Sequence, residues 1–221
     1  MNHLSPKHHI HLLTAYLLLP SLTCSASTTV DLDWTLNSTI PDNSPTGLVD
    51  SRVISGSSIS MITSVEVRLR IDGGWNGDLY VFLSHDSGIT ILLNRPGKTE
   101  SISIGSGSSG FDIILSDDAV SDMHTPTVGS GPVTGTFQPD AREDDPLEVL
   151  DTSPRTAYLS VFQGMDSNGT WTLFLADNVS GDESTLVEWG MSITGIPEPS
   201  SAVLLLLGAA GIIIRRRRSS E

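Results

Sequence analysis

Cysteine is nearly missing from this chain of 221 residues: Cys24 stands alone, so no internal disulfide can hold the fold and stability has to come from packing or bound ions. Basic residues are scarce too, 12 Lys and Arg against 26 Asp and Glu, and the net charge of -14 argues against nucleic acid as a partner. Charged residues are only 17% of the total, too few for a solvated disordered chain, and apolar residues, at 38%, suffice for a modest core. No apolar period of 3.6 residues runs through the middle of the sequence, which excludes a helical bundle. The residues in good supply are 20 Gly and 12 Pro, the punctuation of a turn-rich β-protein.

Long apolar runs occur only at the two ends. Residues 1–26 have a polar start with Lys7 and four histidines, the apolar run Leu12 to Leu19, then Pro20 and small residues, the layout of a secretory signal cleaved after Ala26. Lipid attachment at Cys24 is the competing reading, but Ser21-Leu22-Thr23 lacks the usual Leu at minus three and the Gly or Ala at minus one. At the other end, Pro197-Glu198-Pro199 precedes the run Ala202 to Ile214 and then Arg215, Arg216, Arg217 and Arg218. A helix from Ser200 to Ile214 is about 22 Å long, short of a hydrocarbon core of about 30 Å, and the arginines would hold its far end in the cytoplasm.

That order of Pro-Glu-Pro, short transmembrane helix and arginine cluster resembles the PEP-CTERM sorting signal of bacteria that make exopolysaccharide. The resemblance implies recognition and removal by an exosortase, with membrane anchoring before processing and the cell surface or extracellular matrix afterwards. A plain tail anchor is the alternative, but it gives Pro197-Glu198-Pro199 no task. Between the ends, residues 27–196 keep 7 basic and 24 acidic residues, a net charge of -17 that favours solubility and cationic ligands over anionic ones.

Val65, Val67, Leu69 and Ile71 alternate with Glu66, Arg68 and Arg70, the period of a strand with one wet face. Further strands are expected at Val30 to Leu36, Leu79 to Ser84, Thr90 to Asn94, Asp112 to Leu115, Thr134 to Phe137, Tyr158 to Phe162, Thr170 to Ala176 and Leu186 to Thr194. Gly, Asn, Asp, Ser and Pro clusters separate them. The expected class is all-β, a β-sandwich or jelly roll. Asn76-Gly77-Asp78-Leu79-Tyr80-Val81-Phe82-Leu83 aligns with Asn168-Gly169-Thr170-Trp171-Thr172-Leu173-Phe174-Leu175; duplication and a shared turn-and-strand solution both account for it.

Trp75 to Leu83, Ile91 to Gly97, Asn168 to Leu173 with Asp177-Asn178 and Gly181-Asp182, and Thr185-Leu186 with Trp189 and Ile193 resemble the P domain (P/Homo B) of proprotein convertases and kexin-like proteases. The resemblance spans residues 48–195 and implies a jelly-roll-like sandwich of eight or nine strands. In that family the domain normally follows and stabilises a subtilisin-type catalytic domain. Here residues 27–47, read as an N-terminal extension or first strand, are too few to supply one, and Ser116 to Pro154 carries no clear run of family motifs.

A serine triad needs Asp, His and Ser together. Asp86-Ser87-Gly88 matches the short motif around a subtilisin-type aspartate, but no His-Gly-Thr or nucleophile motif accompanies it, so no catalytic residue is assigned. His85 and His124 read as solvated loop side chains. Acidic loops offer oxygen ligands for Ca²⁺: Asp112, Asp117 and Asp118 in one cluster, Asp177, Asn178, Asp182 and Glu183 in another, with Asp78 and Asp86 able to join. The same residues serve equally to close Asx turns. Trp171 and Trp189 lie in alternating strands and read as core, whereas Trp75 sits in a Gly-rich loop. Arg95 reads as a turn cap or the partner of an acidic loop. Asn37, Asn168 and Asn178 stand in glycosylation sequons, which carry little weight beside a bacterial sorting signal. The expected function is a non-catalytic exported binding or structural module associating with polysaccharide or surface protein. The alternative is an accessory domain for a separately encoded subtilisin-like protease.

Overall fold

The computed structural model describes residues 26–126 and 129–198. Nine strands form two facing sheets: β1 (Thr28–Ile40), β2 (Ser44–Ile54), β3 (Ile59–Gly73), β4 (Leu79–His85), β5 (Gly88–Asn94), β6 (Phe111–Leu115), β7 (Val133–Phe137), β8 (Gly169–Asp177) and β9 (Ser184–Pro197). The five-stranded sheet has the order β1-β9-β3-β6-β7 and the four-stranded sheet β2-β8-β4-β5. All neighbours are antiparallel except β6 and β7. The expected all-β sandwich of eight or nine strands is what the chain forms, and the described residues contain no α-helix. None of their helical turns is long and apolar enough to cross a membrane; the signal-peptide residues before Ala26 and the run Ala202 to Ile214 lie outside the described residues.

Alternation drives the assembly. Val65, Val67, Leu69 and Ile71 of β3 point inward and are buried, opposite Ile193, Met191 and Trp189 of β9 on one side and Leu115, Ile113 and Phe111 of β6 on the other. Leu79, Val81 and Leu83 of β4, with Trp171, Leu173 and Leu175 of β8, close the core from the second sheet. β1 pairs with β9 along its length, and residues 47 and 48 both lie inside β2. Pro197 ends β9 and the Glu198 amide donates to the Ser58 carbonyl at 3.0 Å, which puts the start of the Pro-Glu-Pro segment on the sheet; Pro199 and Arg215 to Arg218 lie outside the described residues.

β2 is missing from the expected strands because its polarity is reversed. Val49 and Val53 face outward and are exposed, while Asp50 and Arg52 point toward the open seam between β1 and β2. There Asp50 accepts from Arg52 Nε at 2.7 Å and from Trp189 Nε1 at 2.7 Å, the Arg52 guanidinium lies 5.6 Å from the Trp34 ring centre, and Trp34 packs 4.5 Å from Trp189. The strand expected at Tyr158 to Phe162 is instead a 3₁₀ turn, Leu159–Phe162. Leu159 and Phe162, three residues apart, are both buried, and the Asp117 carboxylate takes the otherwise unpaired Leu159 and Ser160 amides at 3.0 and 2.7 Å.

The two matching segments become neighbours, since β4 and β8 pair antiparallel with Leu79 opposite Asp177 and His85 opposite Trp171. Their leading asparagines do the same work. The Asn76 amide grips both backbone groups of Gly110, at 2.7 and 2.9 Å, and the Asn168 amide grips those of Ser57, at 2.9 and 3.0 Å.

A candidate binding cleft at one end of the four-stranded sheet

The outer face of the four-stranded sheet carries an aromatic cluster. Tyr80 and Phe82 are the outward positions of β4 and Phe174 that of β8; Val49 and Phe82 flank Phe174 on the neighbouring strands. Phe82 stacks on Phe174 with centroids 4.8 Å apart, and Tyr80 meets Phe174 at 66° and 6.4 Å. The next row along the sheet is hydroxylated, with Ser51 and Thr172 hydrogen-bonded at 2.9 Å.

Beside Tyr80 and Phe174 the surface folds into a cleft of about 500 Å³, whose opposite wall is the Asp145-Pro146-Leu147 turn and whose end is formed by Asn43, Asp177 and Asn178. That turn is held firmly. Asp145 Oδ1 accepts the Leu147 amide at 2.8 Å, the buried Lys98 ammonium donates to the Leu147 and Val149 carbonyls at 2.6 and 3.0 Å, and Asn94 Nδ2 donates to the Arg142 and Asp144 carbonyls at 3.0 and 2.9 Å. The same segment covers the edge of β5 by backbone bonds between Ala141 and Ile91 and between Asp140 and Leu92. Leu147 remains 68% exposed at the cleft mouth.

Electrostatically this end of the molecule is negative. Burial, then Glu143 and Asp145, holds the Tyr80 phenol above its ordinary value. Burial raises Asp177, and Asp42 raises it further. Asp177 is fully buried; its Oδ1 accepts the Val179 amide at 3.1 Å, while Oδ2 has no partner. Behind it, Asp78 is pushed up to about 6 by burial and by Asp177, against the pull of Arg95. Arg95 combines both roles expected of it, donating from Nε to the Gly77 carbonyl at 2.8 Å and standing 3.5 Å from Asp78 Oδ1.

Of the acidic residues singled out in the sequence, Asp177 and Asn178 stand together at the cleft, and the Asn178 side chain donates to the Asp78 carbonyl at 3.1 Å. Asp182 acts on Asp78 by charge, and Glu183 is exposed. The other cluster is distributed: Asp112 lies on the outer face of the five-stranded sheet beside Arg68 and Arg70, Asp117 is spent on the 3₁₀ turn, and Asp118 is exposed. Among the described residues no three His, Cys, Asp or Glu side chains converge to hold a metal ion.

Both histidines are buried, contrary to their expected place in solvated loops. His85 stacks on Trp171 at 4.1 Å and its ring nitrogens meet the Thr170 and Asp166 carbonyls at 3.1 and 2.7 Å. His124 lies 2.8 Å from Asp140 and 2.8 Å from the Lys98 carbonyl, within a buried network in which Arg142 joins Asp140 to Asp122. With both nitrogens of each ring engaged, neither imidazole is placed to take a proton from a nucleophile. Asp86-Ser87 is the turn of the β4–β5 hairpin. Trp171 and Trp189 are core, as expected, and Trp75 is fixed by its bond to the Ile104 carbonyl at 2.9 Å with Gly107 against its ring.

Residues 195–218 match the PEP-CTERM protein-sorting motif. No curated protein matches the chain. Among solved structures, the chain is similar to the Aeromonas sobria serine protease (ASP) in complex with the chaperone ORF2 at 12% identity and a TM-score of 0.44, covering 77% of this chain and 27% of that one. The Aeromonas sobria serine protease structure gives 11% identity, a TM-score of 0.42 and the same coverages. The sorting motif marks an exported protein, anchored in the membrane and then processed by an exosortase to the cell surface.

Proposed function

We propose that the β-sandwich is a non-catalytic binding module, carried to the cell surface or extracellular polysaccharide matrix by its sorting signal, and that the cleft beside Tyr80 and Phe174 is its binding site. The observation that supports this reading is an open cleft combining the Tyr80 and Phe174 walls with exposed Leu147 and the polar side chains of Asn43, Asp145 and Asn178. Aromatic rings with a few convergent polar groups form the usual makeup of a ligand site. Fractionating the native envelope and medium tests it: the protein should travel with the polysaccharide fraction, and Phe174→Ser should release it. Recovery in the free soluble fraction for both forms would defeat the reading.

A second reading rests on the resemblance of Trp75 to Leu83 and Asn168 to Leu173 to the P domain. On it, the stripe of exposed Val49 and half-buried Phe174 and Phe82 would pack against a separately encoded subtilisin-like protease, which should then co-purify and raise the melting temperature of the module.

A further inference from the structure

The chain enters and leaves the sandwich at one pole. β1 starts beside the end of β9, with Thr28 opposite Gly195 and the Ser27 hydroxyl donating to the Gly195 carbonyl at 3.4 Å, so the signal segment expected to end at Ala26 and the sorting signal meet the fold side by side. β9 is held to its last residue: Pro197 stands opposite Ile59, and the Glu198 amide donates to the Ser58 carbonyl. Any slack between sandwich and membrane must therefore come from beyond Glu198. The apolar run begins at Ala202, four residues on, and four fully extended residues reach about 14 Å. The headgroup layer takes up about 5–8 Å of that, and what is left is thinner than a helix of about 10–12 Å, so no protein element fits beneath the pole. The run is also short for the bilayer, and this mismatch draws Glu198 closer still.

The side chains at this pole suit a lipid surface. Residues 55–64 and 192–197 include no charged side chain, and their hydroxyls surround an apolar pair: Met61 of β3 stands opposite Ile196 of β9, 49% and 36% exposed. The Asp166 carboxylate nearby is taken up by the backbone and side-chain amides of Asn168, at 2.8 Å each. About 40 Å away, at the other end of β9, the opposite pole carries Asp42, Asp72, Asp78, Asp177, Asp182 and Glu183, which anionic headgroups repel. We infer that, while the chain is anchored, the pole around Met61 and Ile196 rests on the lipid headgroup layer. The sandwich then stands upright, with the Asn43 and Asp177 end of its cleft turned away from the membrane. This inference rests on the sorting-signal reading and adds which face of the fold meets the lipid.

The test reconstitutes the full chain, with Cys24→Ser, into vesicles of phosphatidylethanolamine and phosphatidylglycerol that carry a headgroup-linked quencher. A fluorophore is attached through Ser58→Cys at the lipid-facing pole or through Ser180→Cys in the β8–β9 turn; both serines are exposed. The label at position 58 should lose most of its fluorescence and the label at position 180 almost none. If Ser58→Cys does not fold, Thr29→Cys on β1, exposed at the same pole, gives the same reading. Equal quenching at both positions, or at neither, in chain that floats with the vesicles overturns the inference and leaves membrane anchoring standing. A chain that does not float overturns the two together. Protection of the position 58 label from iodide that appears only in native envelope membranes would make a membrane protein the occupant, and it too overturns the lipid contact.

Discussion

Raising the pH from 4 to 7 should weaken this protein, opposite to the usual gain on leaving acid. The unfolded Asp78 loses its proton near 3.8, whereas the folded one, buried and facing Asp177, keeps it until about 6. Between those values the native state binds more protons than the unfolded state, so stability falls as pH rises, by about 3 kcal/mol in full at about 1.4 kcal/mol per unit. Asp177 is shifted in the same direction and adds to the slope. Burial pushes His124 down, but its bond to Asp140 prevails and holds it above 6.5; its stabilisation is complete below that value and is lost as pH climbs through the folded one. Asp122 works the other way: burial raises it, yet Arg142 and the His124 amide hold it low, so its contribution disappears only on falling below 3.8. Together these place the maximum near pH 4 to 5. Urea or thermal unfolding of the full chain, followed by tryptophan fluorescence, should show a melting temperature roughly 4–8 °C lower at pH 7 than at pH 4.5, because about 2 kcal/mol of the Asp78 contribution remains to be lost above pH 4.5. Asp78→Asn should flatten the slope to what Asp177 and His124 leave. A melting temperature that is constant or rises over this range, or a wild-type slope retained in Asp78→Asn, would refute the assignment of these carboxylates.

Trp171→Ala should cost about 3–5 kcal/mol in urea unfolding, because the ring is fully buried, stacked on His85 and bonded to the Ser167 carbonyl. Asn76→Ala should cost about 1–3 kcal/mol by stranding both backbone groups of Gly110 in a buried site, and Asn168→Ala less, its partner Ser57 being nearer solvent; equal losses would contradict that ranking. Millimolar calcium against chelator should move the melting temperature by less than about 1 °C, since among the described residues no three acidic side chains form a cage; a larger rise would show that Asp78, Asp177 and Asp182 gather around the ion.

How much of this was legible in the sequence depended on which way the alternation faced. β3 could be read because Val65, Val67, Leu69 and Ile71 all point to the core, and β4 and β8 for the same reason. β2 could not, because its valines face water and its Asp50–Arg52 pair faces the seam, an arrangement stabilised by Trp34 and Trp189 from strands distant in sequence. Asp117 shows the same limit: its acidity was visible, but its work in fixing the Leu159 turn depends on a contact 42 residues away. At the cleft, Asp177 and Asn178 stood out as an acidic pair, whereas Tyr80 and Phe174 looked like ordinary outward strand positions until the β4–β8 pairing set them side by side. Asp145 to Leu147 came from a stretch with no motif, placed only by Asn94 and Lys98. The burial of His85 and His124 was hidden as well, since polar neighbours in sequence say nothing of the carbonyls and carboxylate that satisfy each ring in space.

The central claim, an exported module released at the surface by its sorting signal, is tested most directly by intact mass and C-terminal peptide analysis of the protein isolated from its native envelope and medium. The account predicts that the tail beyond the Pro197-Glu198-Pro199 segment, with Arg215 to Arg218, is missing from the surface and secreted protein. Finding that tail intact on protein that stays in the membrane would contradict it and make the chain a tethered envelope module.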